Sequence, residues 1–194
     1  PVVFTVPCGP PPLAGWPITT YVNGTGGGAS VTVQGIPPVY GSSIVASIPP
    51  SFGRGTEFED PDEFLFYNAL NPMAARSNIL QQAIDDLVLL KAMDRLSLDA
   101  SVASSAGPVT SDPSRTLIIG QSQGAQTLPL VATLRPVSGM LSGGGSAAFY
   151  NQFAYRSSAR EILAAFAPIA ALDITSPVVQ LVEQLTDAGD PSNY

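Results

Sequence analysis

The sequence predicts a single α/β domain built on a largely parallel sheet. Three observations carry that prediction. Strand-like and helix-like segments alternate along the chain, the order that puts crossover helices between parallel strands. The run TLII at 116–119 is apolar without alternation, as in a strand covered on both faces. Hydrophobic residues make up 45% of 194, enough for one sizeable core, and 18 Gly with 19 Pro supply turns.

Taken in order, residues 1–15 are Pro-rich and read as an extended arm. Ile18 to Val22 is β-branched and aromatic, a strand that runs straight into NGTGGG at 23–28. A second short strand lies in GSSIVASIP at 41–49, stopped by Pro49-Pro50. Residues 51–71 form a loop with the acidic stretch EFEDPDEF. Asn71 then caps a helix whose first position is Pro72, and the helical pattern runs from Met73 to about Leu98. Leu80, Ala83, Ile84, Leu87 and Leu90 make its apolar stripe, with Asp85, Asp86, Lys91 and Asp94 mostly off it. Residues 101–114 are mostly small and read as a loop. After the strand at 116–119 comes GQSQG, then a helix over 125–134 with Pro129 in its first turn or two. A fourth strand at 137–141 precedes SGGGS. The stretches 147–172 and 177–186 are apolar and helical, and DAGDPSNY ends in a loop. The division expected is an arm at 1–15, a core over 16–146, and helices with a linker over 147–194.

Several function classes drop out on composition. The net charge is −7, with one Lys and seven Arg, so no basic stripe exists to meet nucleic acid. No apolar run approaches the roughly 18 residues that would span a bilayer. PVVFTVPCGPPP lacks the basic and apolar regions of a signal peptide, though a mature secreted protein would look the same. Acidity, scarce Lys and many Gly, Ser and Pro residues lean toward a secreted or cell-surface protein. Cys8 is the sole cysteine, so it is either a stray thiol or half of a disulfide to another polypeptide.

The chemistry concentrates at Gly120-Gln121-Ser122-Gln123-Gly124. This G-x-S-x-G lies between a buried strand and an amphipathic helix. A turn that tight forces Ser122 into a strained conformation and exposes its hydroxyl at the carboxyl edge of the sheet. Gly120 and Gly124 leave room for neighbouring elements. The helix N-terminus beneath offers N–H groups and the positive end of a dipole. A plain structural turn is the alternative. NGTGGG also follows a buried strand directly. Acyl transfer develops an oxyanion that preorganised donors must meet. Gln123 N–H is one candidate donor; Thr25 N–H, with Gly26 as runner-up, is the second. A flexible Gly-rich turn is the alternative there. A phosphate loop is disfavoured, because no G-K-[ST] follows.

With both motifs placed, the sequence resembles an α/β-hydrolase. NPMAARSNILQQAIDDLVLLKAM is further similar to a helix that precedes the nucleophile elbow in large bacterial secreted or surface-anchored lipases. The matching residues are Asn71, Ala75, Arg76, Asn78, Gln82, Asp86 and Leu90. VEQLTDAGDPSNY resembles the linker that comes before their acid-bearing strand. The oxyanion motif of the fold carries His where Asn23 stands here, a departure at a residue that is not the proton acceptor. The resemblance implies a sheet flanked by helices, and a Ser, acid, His triad in that chain order. Of the three, these residues hold the serine alone. The expectation is then an N-terminal portion of the fold that lacks the C-terminal strands, with acid and His on a complementary C-terminal polypeptide. No cofactor and no metal are expected. The helices over 147–186 are either a lid, which favours a hydrophobic ester as substrate, or ordinary core helices.

A serine hydroxyl is a weak nucleophile unless a base removes its proton, and the chain has no His. Lys91 could act as base or stand as a solvated surface residue. Asp173 could pose as the acid. Glu59, Asp60, Asp62 and Glu63 read as a solvated loop or a metal site. The function expected is a serine carboxylic ester hydrolase acting through an acyl-enzyme on Ser122. The alternatives are a polyester depolymerase or peptidase on the same scaffold, or a non-catalytic hydrolase-like binding protein.

Overall fold

The structure is a computed structural model describing residues 2–24, 27–29, 35, 42–49, 66–68, 71–103, 107–143 and 175–194. Six strands lie among them: β1 (Val3–Thr5), β2 (Trp16–Val22), β3 (Ile44–Ser47), β4 (Ser97–Leu98), β5 (Val109–Gln121) and β6 (Gly139–Gly143). Four helices accompany them: α1 (Pro72–Met93), the single turn α2 (Ala100–Ala103), α3 (Gln123–Leu134) and α4 (Pro177–Thr186). Two 3-10 turns, Asp187–Gly189 and Pro191–Asn193, follow.

The strands run β1-β3-β2-β5, with β6 beside the carboxyl half of β5 and β4 beside its start. β3, β2, β5 and β6 are parallel; β1 and β4 are antiparallel to their partners. From β2 the chain moves outward to β3. It returns through α1, passes β2, and forms β5. From β5 it leaves through α3 toward β6 on the opposite side. The connections after β2 and β5, which are neighbours, therefore diverge and open a crevice at their carboxyl ends. Ligand sites of parallel sheets form at such switch points.

Local chemistry explains the elements. Asn71 Oδ1 accepts from Ala74 N–H at 3.1 Å and Pro72 opens α1, so the expected cap is present. Trp16, Ile18, Ile44, Ala46, Leu89, Met93 and Val109 form one core cluster. Val22, Ala83, Leu90, Ile118, Leu128, Leu130 and Val131 form a second, clamping α1 and α3 onto one face of the sheet. α4 packs against α1, and the 3-10 turns pack on α1 and α3.

Three expectations need correction. α1 stops at Met93, not Leu98, because Leu96 and Leu98 turn back into the first cluster and Ser97–Leu98 pairs with β5. The second part of the loop expected at 101–114 is strand: β5 begins at Val109, and Ser111 and Asp112 pair with Trp16 and Pro17, while residues 101–103 belong to α2. Its polar look comes from a register shift, after which Thr116 pairs with Ile18. Pro113, which has no N–H to give a ladder, sits in that irregularity. The apolar stripe of α1 is also rotated: Ile84 is 52% exposed, while Gln82 and Asp86 are buried. The segments 51–65 and 144–174 lie outside the described residues.

Candidate active site

Ser122 stands where β5 ends and α3 begins, partly exposed, with φ 53° and ψ −112°. It is one of two non-glycine residues with positive φ among those described. A side chain in such a conformation costs about 1–3 kcal/mol and persists only where the surroundings fix it. Those surroundings are visible. Ser122 N–H donates to Gly143 O at the end of β6, at 2.8 Å. Pro129 cannot donate to the carbonyl of Ala125, four residues back, and Ser142 Oγ donates to that oxygen instead, at 3.1 Å. The end of β6 thus holds both sides of the bend.

The two elbow glycines are needed for space. A Cβ on Gly120 would lie 2.6 Å from Gly124 O and 2.8 Å from Leu128 Cδ1. A Cβ on Gly124 would run into the carbonyl of Val22. β2, β5 and α3 therefore meet backbone to backbone directly under Ser122.

The loop after β2 reaches the same point. A Cβ on Gly24 would lie 3.0 Å from Ser122 Cβ, so this loop abuts the serine. Gly27 N–H donates to Gly24 O at 3.0 Å, closing a turn. Asn23 is buried, and its Nδ2 donates to Ser47 Oγ at 3.0 Å; that hydroxyl donates to Tyr21 O at 2.9 Å. The residue in place of the motif's His thus ties β2 to β3. Thr25 and Gly26, the second-donor candidates, lie outside the described residues. Gln123 opens α3 with its side chain buried, and the first turn directs N–H groups and the helix dipole at the bend.

Solved structures share this fold, two acetyl xylan esterases among them. An acetyl xylan esterase from Paenibacillus sp. R4 superposes with a TM-score of 0.61 at 17% identity, over 99% of this chain and 59% of that one. Acetyl xylan esterase 1 from Thermoanaerobacterium sp. JW/SL YS485 gives 0.57 at 14% identity, over 93% and 55%. The fold is that of an α/β-hydrolase. The likeness reaches the fold and no narrower group, so it does not single out the secreted lipases. This chain spans less than two thirds of the length of either hydrolase. No family model matches the sequence, and no curated protein matches it.

On this hydrolase scaffold Lys91 is not brought to Ser122. It is exposed in the last turn of α1, and Met93 O there accepts from Ser111 Oγ at the start of β5, the opposite end of the strand from Ser122. Asp173, Glu59, Asp60, Asp62 and Glu63 lie outside the described residues. A trough of about 370 Å³ adjoins the elbow, lined by Tyr21, Ile119, Gly120, Gln121, Leu141, Ser142 and Gly143. Burial pushes the Tyr21 phenol above its ordinary value, so it stays neutral across the physiological range.

Sequence reasoning missed a polar network below the elbow. Gln82 Nε2 donates to Asp86 Oδ1 at 3.0 Å, and Thr127 Oγ1 reaches Asp86 Oδ2 at 3.3 Å. Tyr67 Oη donates to Gln126 Oε1 at 3.2 Å, and Asn78 Nδ2 to Phe66 O at 2.9 Å. The available signal was Gln82 and Asp86 at i, i+4 beside the buried Ala83 and Leu90.

Proposed function

We propose that the protein is a serine carboxylic ester hydrolase, with Ser122 as nucleophile. The observation that carries this reading is the strained serine at a strand-to-helix bend, at the sheet's switch point, against the glycine loop after β2. Ser122 Oγ attacks the ester carbonyl. The carbonyl becomes an oxyanion held by Gln123 N–H and an N–H of the 25–26 loop, Thr25 first and Gly26 second. The alcohol leaves with a proton, and water then releases the acid from the acyl-enzyme. These residues contain no His. The base therefore comes from a complementary C-terminal polypeptide, which in the chain order the resemblance implies also brings the acid, and Cys8, which is exposed, is available to a partner cysteine. The apolar trough beside the elbow favours a hydrophobic acyl or alcohol group, as in lipases. A secreted or cell-surface location and a lid within 147–194 belong to the same reading.

The deciding experiment is fluorophosphonate labelling of the protein as purified, followed by peptide mapping. Label on Ser122 supports the reading, and its absence there defeats it. p-Nitrophenyl esters of rising chain length, polyester films and peptides then separate esterase or lipase from depolymerase and peptidase. A second reading, a non-catalytic binding protein on the same scaffold, is favoured by the lack of His. It predicts a single stably folded polypeptide by intact mass and no label.

A further inference from the structure

We propose that Asp86 is a positioning residue, whose buried carboxylate grips Thr127 and so fixes the first turn of α3 beneath Ser122. This rests on the reading of Ser122 as nucleophile. Asp86 is 3% exposed, on the face of α1 that meets α3. Burying a carboxylate costs several kcal/mol before partners offset it, and an apolar side chain would pack two helices at less cost. Its position has a geometric reading. Thr127 Oγ1 directs its single hydrogen between Asp86 Oδ2, at 3.3 Å, and Gly124 O, at 3.1 Å. Gln82 Nε2 holds the other carboxylate oxygen at 3.0 Å.

Thr127 lies four residues after Gln123, on the same face of α3, and both are buried. A grip on Thr127 therefore sets the rotation of the helix about its axis. That rotation decides where Gln123 N–H points relative to the oxyanion. Gly124, whose carbonyl shares the Thr127 hydroxyl, is the residue pressed against Val22. The turn cannot move without losing that fit. A displacement of about 1 Å in a catalytic group costs on the order of a hundredfold in rate.

The test uses Asp86→Ala, Asp86→Asn, Thr127→Val, Thr127→Ser and the double variant Asp86→Ala/Thr127→Val in the protein as purified. Three quantities are read: the second-order rate of fluorophosphonate labelling at Ser122, amide hydrogen exchange over 123–127, and Tm. D86A and T127V should label about tenfold or more slowly and exchange faster over 123–127. D86N and T127S, which keep an acceptor and a donor, should label within about threefold of the parent. The double variant should be no slower than D86A, because both act through one bond. Unchanged labelling in a folded D86A, additive losses in the double variant, or a lower Tm with the labelling rate kept would overturn the proposal. If D86A does not fold, T127V against T127S decides it. A parent that takes no label defeats the nucleophile reading instead, and the exchange comparison still decides whether Asp86 holds the turn.

Discussion

Replacing Ser122 with Gly should make the protein more stable while abolishing its labelling. At φ 53° and ψ −112°, Ser122 lies away from the left-handed well near φ +57° and ψ +47°. A residue with a Cβ pays about 1–3 kcal/mol there. Gly does not, but it returns about 0.5–1 kcal/mol through the greater freedom of the unfolded chain. The two ranges leave a net gain of up to about 2.5 kcal/mol, and about 1 kcal/mol at their centres. For a chain of this length the central value is roughly 2–4 °C in Tm. Ser122→Ala is the control. It keeps the strain and removes only a hydroxyl that makes no hydrogen bond among the described residues, so its change stays within about 0.5 kcal/mol. Calorimetry of parent, S122A and S122G under one buffer measures the difference. A melting temperature for S122G at or below that of S122A would refute the claim that strain is stored at this bend.

Gly120→Ala places a Cβ 2.6 Å from Gly124 O, closer than the 3.0 Å that real Cβ atoms keep. It should cost about 1–3 kcal/mol, or roughly 2–12 °C in Tm; an unchanged melt would mean that β5 and α3 are not in backbone contact. The hydrogen bond from the Ser114 hydroxyl, and after it the Arg115 guanidinium, hold the Asp112 carboxyl below its ordinary value. Its contribution is then present above the unfolded carboxylate range near 4 and lost as pH falls below it. Urea midpoints between pH 5 and 2.5 should therefore fall more steeply for the parent than for Asp112→Asn; parallel curves would contradict this. With no His in these residues, added imidazole should speed labelling of Ser122 saturably in a preparation that intact mass shows to hold this polypeptide alone; no acceleration there would contradict the reading that the base is missing from it.

Much of the site was legible because its signals are local. A cap, a proline at the first helical position and a glycine-flanked serine all act within a few residues of one another. The elements that escaped depend on distant partners. β1 lies in a Pro-rich arm and becomes a strand only because Val3–Thr5 finds β3. The first half of β5 looks polar because one of its edges meets β2 through an irregular register. Asp86 falls among the charged residues mostly off the apolar stripe, and patterning alone does not bury it; in the fold Gln82 and Thr127 supply what water would have supplied. Patterning tells which residues avoid water. It does not tell which polar residues carry their partners with them.

The bend also shows why stability and chemistry are hard to separate in this sheet. β6 is poorly buried, yet its last two residues hold both flanks of the elbow: Gly143 O takes the Ser122 N–H, and Ser142 covers the carbonyl that Pro129 leaves without its helix donor. A strained serine needs such redundancy, because each hold alone is worth about 1 kcal/mol and the strain is of similar size. Removing one hold would let the φ of Ser122 relax before it unfolded the sheet. Loss of a distinct serine geometry would then precede loss of the fold. A poorly buried strand, not the most buried one, holds both flanks of the bend that presents the hydroxyl.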